Sequence, residues 1–361
     1  MDITFDKRRF MNRLLMLVIT LVLLISCGTR NREIVKQSFD LVHVKIENDE
    51  LFRSPLSMVL SDSILTMLDP RSDSMLIFFD VKNNAFLGKA GVRGQGPGEF
   101  NLLDALSHFK DSKYYIYDKN IRDFVLFDIC SGINNISYSK LFNSWSGQSM
   151  VHSTIYPISD SLFLAEGIYD EGRYCLLNPR GDIICNYGEW PSRDDVEKTV
   201  SQRVKSQAYS GGLVTQCEGR NFIWYSCYDD ILSFNYVEGD EIRLTKELIR
   251  SYPGYKYYKD MEKYDGRNRN SPVGYRSSAA THDYAFLLFS GRSYEEYGES
   301  AWQGRKIFVY DWSGRVIAEL NSDIDLSCIA VSKDNKTLYA MALNPDPFLV
   351  SFELPDFRHL F

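Results

Sequence analysis

The run Ser74-Met-Leu-Ile-Phe-Phe-Asp80, followed by Asn83-Asn84 and then Ala85-Phe-Leu-Gly-Lys-Ala90, reads as a β-hairpin. Two short segments rich in aromatic and aliphatic residues flank a turn-forming asparagine pair. Lys113-Tyr-Tyr-Ile-Tyr-Asp118 with Asp123-Phe-Val-Leu-Phe-Asp128 repeats the arrangement. A strand that ends in an aromatic or aliphatic residue plus Asp recurs at 77–80, 116–118, 125–128 and 307–311, and the turn Asn178-Pro-Arg-Gly-Asp182 is echoed by Asp311-Trp-Ser-Gly-Arg315.

Grouped by proximity, the hairpins fall into six clusters, at about 56–100, 101–146, 150–190, 206–250, 272–322 and 324–361. The last is one strand short. Upstream, Phe39-Asp-Leu-Val-His-Val-Lys-Ile46 is a spare strand, and pairing it with the final cluster closes a ring and removes an exposed edge. Six units of roughly fifty residues, at four strands each, predict an all-β, six-bladed β-propeller closed by an N-terminal strand. A pair of β-sandwiches would need a linker near the middle, and a β-helix a shorter and stricter period. Only 194–208 carries helix-friendly charges, and it has few apolar anchors.

The chain has 361 residues, net charge -7, 44 % hydrophobic, 14 % aromatic and 25 % charged residues. That balance excludes a disordered tail, a collagen-like fibre and a multi-span membrane protein. Acidity without a long Lys/Arg run speaks against a nucleic-acid partner.

The first segment is not part of the fold. A twelve-residue apolar core at 14–25 follows Lys7, Arg8, Arg9 and Arg13, the length and flank of a signal peptide rather than of a membrane span. Met11 offers a second start. Leu24-Ile-Ser-Cys27 resembles the lipobox of bacterial lipoproteins. The resemblance implies cleavage before Cys27 and acylation of its sulfur, which would anchor the protein to a membrane. The expected organisation is a lipoprotein signal peptide at 1–26, a tether at 27–33 and the propeller at 34–361. Gly28-Thr29-Arg30-Asn31 has no Asp after the cysteine and no acidic cluster. By resemblance to Gram-negative sorting this implies the cell envelope: an outer-membrane lipoprotein facing the periplasm, with surface exposure left open.

Gly91-Val-Arg-Gly-Gln-Gly-Pro-Gly-Glu-Phe100, after the outer strand of the first cluster, resembles the inter-blade loop of NHL-like and TolB-like six-bladed propellers. Tyr284-Ala-Phe-Leu-Leu-Phe-Ser-Gly-Arg292, followed by Lys306-Ile-Phe-Val-Tyr-Asp-Trp-Ser-Gly-Arg315, is similar to the penultimate blade of TolB-like propeller lipoproteins. The resemblance covers most of the chain past Cys27. It implies fold and compartment and transfers no catalytic residue.

Chemical motifs are sparse. His-Glu-x-x-His, Cys-x-x-Cys and Gly-x-Ser-x-Gly are absent from the sequence, and His43, His108, His152, His282 and His359 lack metal-ligand spacing. Ser137-Tyr-Ser-Lys140 and Ser107-His-Phe-Lys110 match Ser-x-x-Lys without its companion motifs. No catalytic residue, metal ligand or cofactor is therefore expected. The glycine loop has no Lys-Ser/Thr ending, and Pro97 removes a donor from its middle. It reads as a blade-to-blade turn, with Arg93, Gln95 and Glu99 as contact candidates. Cys175/Cys185 and Cys217/Cys227 each lie ten apart around a turn, which leaves disulfides open in an oxidising envelope.

The segment 251–300 is the least blade-like and the richest in tyrosine. Long loops on a rigid scaffold often carry binding, and tyrosine suits interfaces and sugar stacking. Tyr252, Tyr255, Tyr257, Tyr258, Arg267 and Tyr275 are the further binding candidates. The expected function is a monomeric, lipid-anchored scaffold that binds an envelope protein, peptide or glycan. The alternative is a lyase or hydrolase whose site lies in the central channel, which would require residues such as His152 and His282 to converge on the axis.

Overall fold

The computed structural model describes residues 37–48, 50, 52–96, 98–144, 151–258, 263–265 and 268–360. The signal segment, Cys27 and Arg267 lie outside the described residues. Two strands lead in, β1 (Ser38–Leu41) and β2 (Val44–Lys45). Blade one is β3 (Ser57–Ser61), β4 (Ile64–Leu68), β5 (Ser74–Asp80) and β6 (Ala85–Val92). Blade two is β7 (Leu103–Lys110), β8 (Lys113–Asp118), β9 (Asp123–Asp128) and β10 (Ser137–Asn143). Blade three is β11 (Val151–Ser159), β12 (Leu162–Ile168), β13 (Tyr174–Leu177) and β14 (Ile183–Tyr187). Helix α1 (Gln202–Ala208) precedes blade four: β15 (Gly211–Thr215), β16 (Asn221–Ser226), β17 (Ile231–Glu238) and β18 (Glu241–Ile249). A small hairpin of β19 (Lys256–Tyr258) and β20 (Lys263–Asp265) comes next. Blade five is β21 (Tyr275–Ala280), β22 (Tyr284–Phe289), β23 (Gly304–Asp311) and β24 (Val316–Leu326). Blade six has β25 (Cys328–Val331), β26 (Thr337–Ala342) and β27 (Phe348–Glu353).

Each blade is an antiparallel meander, and its innermost strand touches the innermost strands of the two neighbouring blades, so β3, β7, β11, β15, β21 and β25 form a closed ring. The apolar runs fill the junctions. Six hydrophobic clusters are found among the described residues, one at each blade-to-blade contact. Within blade one, Phe78 faces Tyr114 and Phe127 of blade two, while Ile77 and Phe79 face Met341 and Leu349 of blade six. Alternate residues of one strand thus serve two different junctions, which is why the central strands read as unbroken apolar runs.

The repeated turns have a common physical basis. In 178–182 the Asn178 side chain accepts from the backbone N–H groups of Arg180 and Asp182, at 2.8 and 3.0 Å. In 311–315 Asp311 accepts from Ser313 and Arg315, at 3.0 and 2.9 Å. Gly181 and Gly314 then take φ of 80° and 82°, a region that favours glycine.

Ring closure differs in detail from the single spare strand expected at 39–46. That segment is divided. β1 runs parallel to β24 as a fifth strand of blade five, and β2 pairs antiparallel with β27 as the fourth strand of blade six. Between them His43 holds the crossover, its backbone N–H and ring Nδ1 lying 3.2 and 2.9 Å from the Asp323 carboxylate.

The register also decides the cysteines. Cys185 stands opposite Leu176 rather than Cys175, so the two thiols point to opposite faces of blade three. Cys217 and Cys227 lie beyond opposite ends of the β15–β16 hairpin, and neither pair is bridged.

Candidate functional site

Each innermost strand is hydrogen-bonded to a blade partner along one edge only, which leaves its other edge towards the axis. The six strands enclose a channel of about 630 Å³, within the range of small-molecule sites. Apolar surface predominates along its shaft, where the part-exposed Val59, Leu60 and Ala280 alternate with Ser57, Thr154, Thr215 and Ser278. Gly211 and Gly212 add bare backbone, and neither tolerates a side chain. A Cβ on Gly211 would sit 2.6 Å from the Trp224 ring, and one on Gly212 would sit 2.5 Å from the Tyr225 hydroxyl.

The two ends differ. One mouth carries Lys119, paired with Asp104 at 3.3 Å, and Arg276, whose guanidinium lies 4.5 Å from the Trp302 ring centroid. At the other end stands His108, the histidine of the channel wall. Its Nε2 is 3.0 Å from Ser61 Oγ and 2.7 Å from the Asp111 carbonyl, and burial holds its pKa below the ordinary value. Cys217 lines the same channel, its thiol donating to the Ala280 carbonyl at 3.3 Å.

Behind the wall, the seam between blades three and four is unusually polar. Arg173, only 2 % exposed, lies with its guanidinium 4.8 Å from the Trp190 ring and 5.0 Å from the Trp224 ring. It donates to Ser233 Oγ at 2.7 Å and forms an ion pair with Glu247 at 3.0 Å. Glu166 of β12 is 3 % exposed, and burial raises its carboxyl to about 8, with Lys119, Arg173 and a hydrogen bond from Trp224 lowering it and Asp104 raising it. Thr154 of β11 stands opposite Glu166 in the register.

The residues singled out in the sequence fall in three places. Arg93 and Gln95 are exposed on the loop between blades one and two, and Arg93 donates to the carbonyls of Asn101 and Pro70, at 2.7 and 2.5 Å. Glu99 folds back on that loop and accepts from the Gly96 N–H at 2.8 Å, while the Gly94 N–H donates to the Phe100 carbonyl. None of the three lines the channel. Tyr252 and Tyr257 pack against the seam of blades three and four, and Tyr258 is 42 % exposed. Tyr255 is buried with its hydroxyl donating to Glu197, and Tyr275 is fully buried with its hydroxyl donating to Asp230 at 2.8 Å.

His152 and His282 do not converge. His152 is buried at the junction of blades two and three, 2.7 Å from the Tyr169 hydroxyl, and burial together with the Arg122 charge lowers it to about 4. His282 is exposed beside Asp283 on a turn of blade five. Among the described residues, no group of three or more His, Cys, Asp or Glu is placed to hold a metal ion.

Sequence reasoning missed the wall residues and Glu166. The one available signal was the Gly211-Gly212 pair opening a strand, a mark of close backbone approach.

Comparison with known proteins agrees with this architecture. A family model described as a TolB-like 6-blade propeller matches residues 34–334. No curated protein matches the chain. Among solved structures, a candidate exported protein from Bacteroides fragilis is similar at a TM-score of 0.55 and 14 % identity, covering 88 % of this chain and 99 % of that one. A DUF4221 family member from Bacteroides vulgatus is similar at 0.51 and 10 % identity, over 89 % and 96 % of the two chains. The calcium-binding protein regucalcin from Agrobacterium tumefaciens is similar at 0.51 and 8 % identity, over 89 % and 96 %. At these identities the likeness speaks for the fold.

Proposed function

This chain belongs to the TolB-like 6-blade propeller family, and from that premise we propose that it is a lipid-anchored envelope receptor whose axial channel takes an extended peptide segment rich in apolar side chains. The observation that carries the reading is the channel itself. An apolar shaft of about 630 Å³ with inner-strand edges along its walls offers both a place for aliphatic side chains and backbone groups for a peptide to pair with.

Successive strands of a meander alternate in direction. The starts of the innermost strands of blades two and five therefore share one end of the molecule with the Lys119 and Arg276 mouth. Arg93, Gln95, Tyr252 and Tyr258 belong to the connections into these strands and are the contact candidates for a partner that a monomer would engage end-on.

Ser278→Trp tests the channel, because Ser278 lines it and is half-buried. Short apolar peptides are expected to bind the full chain and to lose at least tenfold in affinity in this variant, measured by calorimetry on protein shown to be folded by circular dichroism. Unchanged binding in the variant would remove the channel from the reading. The envelope anchor is a separate element, supported by the lipobox-like 24–27 and in keeping with the exported relative. Cys27→Ala is expected to move the protein from the membrane fraction to the soluble fraction and to abolish incorporation of labelled palmitate. Retained palmitate label would refute acylation at Cys27.

A further inference from the structure

We propose that the mouth of the channel contains a subsite for an acidic side chain of the peptide, a Glu or Asp carboxylate received by Arg276. The inference rests on the channel reading above and adds the charge of the ligand to it.

Placement comes from the strand that carries the arginine. β21 is the innermost strand of blade five, and its pairing with β22 slips between Tyr275 and Ser277, so Arg276 is the extra residue of a bulge. Bulges re-aim side chains and are common beside active sites. On β7 of blade two the pairing slips in the same way between Leu103 and Leu106, where Asp104 stands. Blades two and five are three apart in a ring of six. The two irregular strand starts therefore face each other over one mouth.

Charge sets Arg276 apart. Among the described residues, the charged groups along the channel are Asp104, Lys119 and Arg276, together with His108. Asp104 and Lys119 pair with each other at 3.3 Å, and burial lowers the pKa of His108, which leaves it uncharged at pH 7. What remains is the positive charge of Arg276, on a chain whose net charge is -7. Among the described residues Arg276 has no carboxylate partner, and its side chain rests on Trp302. Nε donates to the Trp302 carbonyl at 3.4 Å, and the guanidinium lies 4.5 Å from the ring centroid. The indole is itself met edge-on by Tyr228, at 5.8 Å and 90°. This stack fixes the plane of the guanidinium and leaves its Nη groups as donors.

Those donors suit a carboxylate. A guanidinium presents parallel N–H groups that match two carboxylate oxygens, and one already oriented loses little freedom on binding. Hydroxyls extend the site. Ser278, two residues along β21, lines the channel and donates to Tyr225 Oη at 3.4 Å, so the Tyr225 O–H is left to donate in turn. Burial, then Cys227, raises the pKa of that hydroxyl, while Ser278 and Arg276 lower it, and it stays neutral. A lysine side chain at this point would meet a like charge with no counter-ion. A partner engaged end-on keeps its backbone running through the mouth into the shaft. The carboxylate at the rim therefore belongs to a residue flanking the apolar segment rather than to a chain terminus.

The test uses two blocked hexapeptides, Glu-Leu-Ala-Ala-Leu-Glu and Gln-Leu-Ala-Ala-Leu-Gln, which bring a carboxylate or an amide to the mouth whichever end enters first. Titrated into the full chain at pH 7 and low salt, the glutamate peptide is expected to bind about tenfold more tightly, the gain of one charge-assisted pair, and added salt is expected to narrow the difference. In Arg276→Gln the two peptides are expected to bind alike. Arg276→Lys keeps the charge without the fork and is expected to retain only part of the preference. Circular dichroism establishes that each variant is folded. Equal binding of both peptides by the wild type would overturn the subsite, as would a glutamate preference undiminished in either folded variant, and both results leave the channel reading standing. Tighter binding of the glutamine peptide with a free C-terminus than of the blocked glutamate peptide would overturn the side chain as the source of the carboxylate. If neither blocked peptide binds, or if Ser278→Trp leaves both affinities unchanged, the channel reading falls and the subsite falls with it.

Discussion

Deletion of residues 37–46 is expected to abolish the single cooperative unfolding transition of the propeller. The segment supplies the last strand of blade six, with Val44 opposite Ser351 and Lys45 opposite Val350, and the Ile46 N–H donating to Leu349 at 2.9 Å. It also adds four parallel pairs to β24 and buries Leu41 between blades five and six. Without it β27 becomes an open edge carrying unpaired donors and acceptors. One buried leucine contributes about 2 kcal/mol and each lost backbone bond about 1 kcal/mol. The total, on the order of 5 kcal/mol or more, rivals the entire stability of a typical domain. Urea unfolding followed by tryptophan fluorescence is the measurement, and a synthetic peptide of residues 37–46 added in trans is expected to restore the transition. A deleted protein that unfolds at the wild-type midpoint would show that closure contributes little.

Arg173→Ala is expected to have the second-largest effect, a loss of about 3 kcal/mol. The guanidinium is almost wholly buried, stacked on Trp190 and Trp224, and bonded to Ser233, Tyr174 and Glu247. Its removal leaves a cavity between two indoles and a carboxylate without its partner, the situation in which breaking a buried pair costs ~3–5 kcal/mol. The lower end applies because the Glu247 side chain keeps 25 % of its exposure and can be hydrated. A double-mutant cycle with Glu247→Gln separates the two contributions. A coupling near zero would assign the effect to lost packing, and a total loss below about 1 kcal/mol would show that the two tryptophans hold the seam without the arginine.

Much of this fold was legible because hairpins are local. The runs 74–80, 113–118, 123–128 and 306–311 carry their strand character in their own residues, and turn chemistry at 178–182 and 311–315 separates neighbouring strands. Cluster limits read from hairpin grouping therefore fall close to the blades observed. The candidate site was far less legible. Tyrosines at 255 and 275 look alike in sequence to those at 257 and 258. Yet Tyr255 reaches Glu197 and Tyr275 reaches Asp230, contacts 58 and 45 residues away that no local pattern encodes. Cys175 and Cys185 have hairpin spacing, and a register shift in β13–β14 sets them on opposite faces.

By itself the sequence determined an all-β chain, six blades and their boundaries, since strand periodicity and turn chemistry act over a few residues at a time. Only the tertiary structure decided which residues stand together. It divided the closing segment between two blades, drew Tyr255 and Tyr275 into the interior and buried Glu166 among the blades. Those outcomes depend on which face of each blade meets its neighbour. That is settled by packing between strands distant in the chain, at junctions such as Glu166 with Trp224.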